Sequence, residues 1–143
     1  MTSPLDALSG PGKALKREPP DAAEFLGLMQ SAQARLKDAE NPQNSLEGRF
    51  DLAYNAAHAL CLAALRRHGY RSNNRYIVFQ ALPHTLGLGP EVWRVLARCH
   101  DIRNLSEYEG DTAIDERLLA DLITATHTVA RKVAALPPLP ITE

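Results

Sequence analysis

The stretch SLEGRFDLAYNAAHALCLAALRRHG, residues 45–69, predicts the longest helix of the chain, and the fold class follows from it. Asn44 or Ser45 caps its start, because either side chain can accept a hydrogen bond from a free backbone amide. Basic side chains in the last turn and Gly69 end it. Its apolar residues recur every three or four positions, as on one face of a helix: Phe50, Ala53, Tyr54, Ala57, Cys61, Ala64 and Leu65. The alanines among them indicate a closely packed neighbouring helix.

The residues before this helix contain a second one. Asp21 is an N-cap, and Glu24 three positions later completes a capping-box pattern. Pro42 ends this helix, because proline disfavours helical backbone in the preceding residue. After the long helix, RSNNRYIVFQALPHTLGLG, residues 71–89, is interpreted as a short helix or irregular crossing that is broken near Pro83. Its apolar run YIVF is not interpreted as a strand, because no second strand is predicted to pair with it.

Two more helices complete the domain. GPEVWRVLARCHDIRNLSEYEG, residues 89–110, carries Pro90 at the first helical position and ends at Gly110. Thr112 is predicted to cap the last helix, with Asp115 three positions on. The sequence therefore predicts an all-α fold, a four-helix up-and-down bundle with a short extra helix before the third main helix.

The bundle is predicted to form a single domain over residues 21–136, between a disordered, flexible arm, residues 1–20, and a flexible tail, residues 137–143. The arm lacks the apolar region of a secretory signal, so a cytoplasmic location is expected. No run approaches the roughly 18 apolar residues that a membrane span needs. Cys61 and Cys99 are far apart in sequence, unlike paired zinc ligands, so we expect buried free thiols and neither a metal nor a cofactor.

The net charge of −1 hides an uneven distribution of charge. Four arginines, Arg66, Arg67, Arg71 and Arg75, fall within ten positions, in a stretch that has no acidic residue from 52 to 90. Seven acids follow between residues 101 and 121. Two interpretations remain open. Either the two charged regions are solvated faces that attract each other, or the arginines form a basic strip that binds nucleic-acid phosphate.

The end of the third main helix holds the candidate site. A helical wheel places His100, Arg103 and Asn104 on one flank, at the edge of the apolar stripe, and Tyr108 follows five positions after Arg103. Arg103 is either a structural arginine, paired with Glu107 one turn later, or a phosphate ligand, because a guanidinium matches phosphate oxygens. Tyr108 is either a packing aromatic or an acid or base.

These segments resemble the HEPN superfamily, a group of small all-helical domains. AYNAAHAL, residues 53–60, is similar to an Ala-Tyr-x-Ala-x-His-like segment of the long helix in that group. The run from Arg103 to Tyr108 is similar to its Arg-x-x-x-(Asp/Glu)-Tyr pattern. The resemblance covers roughly residues 21–135. It implies a four-helix bundle that pairs as a two-fold homodimer, with two copies of the arginine motif facing each other across a cleft.

Many members of the superfamily are metal-independent RNases, some of them toxins, and others are antitoxin partners of a minimal nucleotidyltransferase. The resemblance implies that Arg103 and Asn104 act on phosphate. Active members have a histidine where this chain has Tyr108, and tyrosine, with a pKa of about 10, is a poor base at neutral pH; His100 and His58 can reach the same cleft. The candidate catalytic residues are Arg103, Asn104, Tyr108 and His100. We expect binding of RNA or nucleotide phosphate, with an active RNase or a purely structural helical dimer as alternatives.

Overall fold

A computed structural model describes residues 4–10, 12–109, 114–137 and 139, with the side chains of residues 106–109 outside this description. Six α-helices lie in the described residues: α1, Ala22–Ala39; α2, Leu46–Arg67; α3, Arg75–Gln80; α4, Leu82–Thr85; α5, Pro90–Glu109; and α6, Glu116–Ala134. A 3-10 turn at Asp6–Leu8 and two short strands, β1 at Lys16–Arg17 and β2 at Tyr70–Arg71, accompany them. The predicted all-α helical bundle is confirmed. Among the described helices, none is long and apolar enough to cross a membrane.

The helix boundaries follow from side chains that satisfy free backbone groups. Asp21 accepts hydrogen bonds from two amides in the first turn of α1, and Ser45 accepts one in the first turn of α2, so both predicted N-caps are confirmed. Gly69, just after α2, has a φ of +90°, a left-handed conformation that favours glycine. The predicted cap of the last helix is wrong. Asp115 is the N-cap of α6, with its carboxylate on a first-turn amide, and Thr112 lies outside the described residues.

α2 is the central helix of the bundle. It contacts α1, α6, α3, α5 and α4, and consecutive residues along it are buried together, so more than one of its faces is covered. The seven residues of the predicted stripe are all buried, and the structure adds Ala56, Ala59, Leu60 and Ala63. These mostly small side chains let the flanking helices approach closely, which is why an alanine-rich helix can occupy the centre.

The segment between α2 and α5 forms two short helices where one was predicted. α3 begins after Asn74, whose side chain accepts a hydrogen bond from the amide of Ile77. The run YIVF, residues 76–79, lies inside α3. Ala81 lies between the two helices, as the C-cap of α3 and the N-cap of α4. Pro83 lies in the first turn of α4, where proline is tolerated. The helical interpretation of YIVF and the break near Pro83 are both confirmed.

The predicted flexible arm packs against the bundle over its described residues, so this prediction is corrected. Leu5 and Leu15 are buried in the hydrophobic core. β1 pairs antiparallel with β2, directly after α2, and Tyr70 donates a hydrogen bond to the carboxylate of Asp6. Two isolated leucines among prolines and glycines make no periodic pattern, so the sequence did not indicate that they are buried.

Arg66 anchors the arm to the end of α2. Its side chain is 3% exposed, and its Nε donates a hydrogen bond to Glu24 on α1 at 2.6 Å. Its terminal nitrogens donate to the backbone carbonyls of Glu18 and Pro19 at 2.8 and 2.6 Å. Arg71 forms ion pairs with the same two glutamates. Burial alone would raise the pKa of Glu24, but the hydrogen bonds and charges of Arg71 and Arg66 outweigh it and hold that pKa below its usual range.

Cys61 on α2 and Cys99 on α5 are buried free thiols, as predicted. Burial raises the pKa of both thiols, that of Cys99 to about 12. The thiolate form is therefore scarce at neutral pH, and both side chains act as small apolar groups in the core.

Replacing Arg66 with methionine is expected to destabilise the protein by about 2–4 kcal/mol, because two backbone carbonyls and a carboxylate lose a buried donor. Urea denaturation measures this loss as a change in the free energy of unfolding. Trypsin is also expected to cut the variant faster after Lys16 and Arg17, because the arm has lost its anchor.

Arg67→Met is the matched control for this experiment. The Arg67 guanidinium is partly exposed and donates to one backbone carbonyl, that of Pro137. A loss below about 1 kcal/mol is expected for this variant. Equal losses in the Arg66 and Arg67 variants would contradict the anchoring role of Arg66.

Candidate functional site

One face in the middle of α2 carries polar residues, whereas the positions between them are apolar. Asp51, Tyr54, Asn55 and His58 are spaced so that they lie on one side of the helix. α3 and α5 pack against α2 and bring further side chains to this face. The resulting group, which we call the Tyr54 cluster, comprises Asp51, Tyr54, Asn55, His58, Arg75, Tyr76, Phe79, His100, Arg103 and Asn104.

Tyr54 forms the buried floor of the cluster. It is fully buried, and its hydroxyl lies 2.9 Å from Nδ1 of His100 on α5. The other ring nitrogen of His100, Nε2, lies 3.2 Å from the side-chain nitrogen of Asn104 one turn later. A neutral imidazole has one donor and one acceptor nitrogen, so one of these two contacts uses its N–H and the other its lone pair. His100 is thereby oriented from both sides.

Two guanidinium groups lie against the Tyr54 ring. The guanidinium carbon of Arg103 on α5 is 5.0 Å from the ring centroid, and that of Arg75 on α3 is 5.5 Å from it. At these distances a cation is attracted to an aromatic ring. α2 also anchors both arginines: Nε of Arg103 is 3.2 Å from Oδ1 of Asp51, and Arg75 donates to the side-chain oxygen of Asn55 at 3.0 Å. Because Arg103 is 23% exposed and Asp51 is 58% exposed, this ion pair lies at the rim of the cluster.

Aromatic rings enclose His100. The ring of Tyr76 is 5.9 Å from the His100 ring, and that of Phe79 is 6.4 Å from it. Phe79 also packs edge-on against His58 and Tyr54. Tyr76 and the two arginines remain partly exposed. The cluster therefore has a buried aromatic floor and an accessible rim that carries two guanidinium groups.

The charges of the arginines act on both histidines of the cluster. The pKa of His58 is lowered to about 4; burial is the largest cause, and nearby positive charges, Arg75 first, act in the same direction. Burial also lowers the pKa of His100; Asp101 opposes this change, and Arg75 and Arg103 add to it. At neutral pH both histidines are therefore uncharged, and the arginines carry the positive charge of the cluster.

This arrangement has the chemistry of an anion site. A guanidinium presents planar N–H donors that match the oxygens of phosphate. A neutral imidazole beside it can give or take a proton. Within the described residues, His, Cys, Asp and Glu side chains form no group of three or more that could hold a metal ion.

Three of the four predicted catalytic residues come together in the Tyr54 cluster: His100, Arg103 and Asn104. The fourth, Tyr108, lies in the last turn of α5, where the side chains fall outside the described part of the chain, as does that of Glu107, the predicted partner of Arg103. The sequence predicted only the residues of the site that lie on α5. The remaining residues of the site lie on α2 and α3.

The four arginines of the predicted basic strip lie in three different environments. Arg66 is buried, and it shares Glu18 and Glu24 with Arg71. Arg67 donates to the carbonyl of Pro137, and Arg75 belongs to the Tyr54 cluster. The four positions extend from the end of α2 through β2 to the start of α3.

Several residues of the cluster were not predicted from the sequence. Asp51, Asn55 and Tyr76 were assigned to no site, and Tyr54 was counted as a core residue. The sequence does contain a signal for the residues of α2, because Asp51, Asn55 and His58 interrupt the apolar pattern on one side of the helix at steps of four and three residues. A buried helix with one polar face indicates a polar contact with a neighbouring helix.

A second basic region lies beside the arm. An open concavity of about 900 Å³ lies between the arm and the connection from α2 to α3, and its lining includes Lys13, Lys16, Arg17 and Arg71. Arg17 is paired with Asp6 at 2.6 Å, and Lys13 donates to a backbone carbonyl of the arm. These contacts hold the arm in place, so the Tyr54 cluster is the stronger candidate for a binding site.

Comparison of the chain with protein-family models, with curated proteins and with solved structures finds no match. The resemblance to the HEPN superfamily therefore rests on the motifs quoted from the sequence and stays a prediction. The geometry of the Tyr54 cluster is the structural basis for the function proposed below.

The free energy of unfolding is expected to fall as the pH drops from about 6.5 towards 4, because the pKa of His58 is about 4 in the folded chain and 6.5 without its surroundings. The folded-state pKa is the lower one, so the unfolded chain binds more protons in this window and is favoured there. His58→Gln is expected to flatten the pH dependence by up to about 1 kcal/mol per pH unit. Denaturant titrations between about pH 7 and pH 5 measure this slope.

The control for this prediction is His84→Gln. His84 is exposed on α4, and its replacement is expected to leave the wild-type slope intact. If His58→Gln also kept that slope, burial would not hold His58 in its neutral form.

Proposed function

We propose that this chain binds the phosphate groups of RNA or of a nucleotide at the Tyr54 cluster, with Arg103 as a direct ligand. The observation that carries the proposal is the arrangement of two guanidinium groups, an oriented histidine and an amide around one buried tyrosine. Charged groups at a partly exposed rim contribute little to stability compared with apolar packing. Two guanidinium groups held against one buried ring therefore support a functional role.

The side-chain chemistry supports phosphate as the ligand. The contact between Nε of Arg103 and Asp51 fixes the plane of the guanidinium, and a fixed fork suits bidentate recognition of phosphate oxygens. Asn104 places an amide beside it. His100 is neutral at pH 7, and its contact with the side chain of Asn104 orients that amide without adding charge.

The resemblance to the HEPN superfamily supports a homodimer, and a minimal nucleotidyltransferase or an antitoxin as a further partner. In a two-fold pair the flank of α5 faces its copy. Sedimentation of the purified protein at micromolar concentration tests for the dimer.

A metal-independent RNase is the second candidate function, and His100 is the observation in its favour. Burial lowers the pKa of His100, so the imidazole is neutral at pH 7, and it can take a proton from the substrate once a ring nitrogen exchanges its contact with Tyr54 or Asn104 for the substrate. Cleavage of a mixed-sequence single-stranded RNA in the presence of EDTA, lost in Arg103→Ala and in His100→Gln, would establish this activity. Binding without cleavage would assign the chain to the binding class.

Arg103→Ala is expected to weaken binding of single-stranded RNA by about tenfold or more, because a charge-assisted hydrogen bond contributes about 1.5–3 kcal/mol. The plot of log affinity against log salt concentration is expected to become less steep by roughly one, since one fewer phosphate is neutralised. Fluorescence anisotropy of a labelled single-stranded RNA, titrated at several salt concentrations, measures both quantities.

Arg94→Ala is the matched control. Arg94 is exposed on α5 about two and a half turns before Arg103, which places it on the opposite face of the helix. Equal losses in the two variants would indicate a non-specific attraction to basic residues. Unchanged binding by Arg103→Ala would rule out Arg103 as a ligand, and thermal unfolding curves check that both variants fold.

A further inference from the structure

We propose that a single chain holds one phosphate between two of its own arginines, Arg75 and Arg103, without an arginine from a second copy. This inference rests on the proposed function and extends it. The family resemblance assigns the second arginine of the cleft to a dimer partner, whereas the structure provides one within the chain. The ligand is defined by the chemistry that its sources share, a phosphate carried either by a nucleotide or by the backbone of RNA.

The two arginines approach the same ring from different helices. Arg75 begins α3 and Arg103 lies in the second half of α5. Their guanidinium carbons lie 5.5 and 5.0 Å from the centroid of the Tyr54 ring, so the distance between them cannot exceed the sum of these two values. Both side chains are partly exposed. A guanidinium has several N–H donors, so each arginine can keep its contact with α2 and still donate to an anion.

α2 anchors both guanidinium groups at neighbouring points. Asn55 accepts a hydrogen bond from Nη1 of Arg75 at 3.0 Å, and Asp51 accepts one from Nε of Arg103 at 3.2 Å. Asp51 and Asn55 are one turn apart on the same face of α2. Donors that are already held in position bind an anion more tightly than mobile ones, because less rotamer freedom is lost on binding.

Two like charges against one ring favour a negatively charged ligand. After the larger effect of burial, Arg75 and Arg103 both lower the pKa values of the two histidines of the cluster, so the potential of both reaches the same interior groups. Asp51, which bonds to Arg103, is 58% exposed and therefore well screened by water. Asp101 acts on one of the histidines in the opposite direction. A phosphate between the arginines adds negative charge where both guanidinium groups attract it.

The first experiment measures whether both arginines hold the same phosphate. Arg75→Ala and Arg103→Ala are each expected to weaken binding of a labelled oligouridylate by about tenfold or more, with a salt dependence that is less steep by roughly one. The double variant is expected to bind little worse than either single variant, because residues that share one ligand are not additive. If AMP competes, a nucleotide phosphate is sufficient for binding. If unlabelled oligouridylate competes and AMP does not, the site requires a phosphodiester. Either result supports a phosphate at this site.

Two further variants serve as controls. Arg67→Ala removes an arginine that shared the predicted strip with Arg75 but lies outside the Tyr54 cluster, so it is expected to bind like the wild type. Arg75→Gln keeps a polar group that can bond to Asn55 and removes the charge. It is expected to bind as weakly as Arg75→Ala, and it replaces that variant if the alanine substitution destabilises the fold.

The second experiment separates one chain from two. Arg75→Ala and Arg103→Ala chains are co-expressed with different tags and purified together. If the two arginines of a site came from different subunits, a mixed dimer would contain one intact site. If both come from one chain, the mixture contains none. We expect the co-expressed mixture to bind oligouridylate no better than the separate variants.

The outcomes distinguish this inference from the proposed function. Recovery of binding in the mixture would overturn the inference. If Arg75→Ala bound like the wild type while Arg103→Ala bound more weakly, the inference would be wrong and the proposed function would stand. If the wild-type protein binds neither AMP nor oligouridylate at low salt, both the inference and the proposed function are wrong.

Discussion

The central position of α2 constrains the rest of the structure. Its small side chains let α1 and α6 pack closely against it, and α3 and α5 cover the remaining face around Tyr54. That face is polar, and buried polar atoms need hydrogen-bond partners. His100 bonds to the Tyr54 hydroxyl, while Asn55 and Asp51 bond to the two guanidinium groups. The candidate site thus lies where the packing of the bundle changes from apolar to polar.

Arg66 differs in role from Arg75 and Arg103 because their guanidinium groups are buried to different degrees. Arg66 is 3% exposed and is surrounded by carboxylates and backbone carbonyls, so the protein itself compensates its charge. Arg75 and Arg103 lie at a partly exposed rim, against an aromatic ring. A buried charge must keep its protein partners, because losing one leaves it uncompensated. A charge at the rim can exchange contacts with water or a ligand at little cost.

The helices and their caps could be predicted because the signals for them are local. Asp21 and Ser45 cap the helices that the sequence assigns to them, and the predicted stripe of α2 is buried. The neighbourhood of His100 and Asn104 could also be predicted, since the two residues are one turn apart on α5. The packing of the arm could not. Leu5 and Leu15 are buried through contacts with a distant part of the chain, which periodicity does not report.

By itself, the sequence determined which segments are helical, where most of them begin and which side of each is apolar, because capping and helical periodicity act over a few residues. Only the tertiary structure decided that the hydroxyl of Tyr54 meets His100, 46 positions away, and that Arg75 joins Arg103 while Arg66 anchors the arm. These contacts depend on how α2, α3 and α5 pack. Packing is set by the shapes of whole helix faces, and the spacing of residues along one helix does not contain that information.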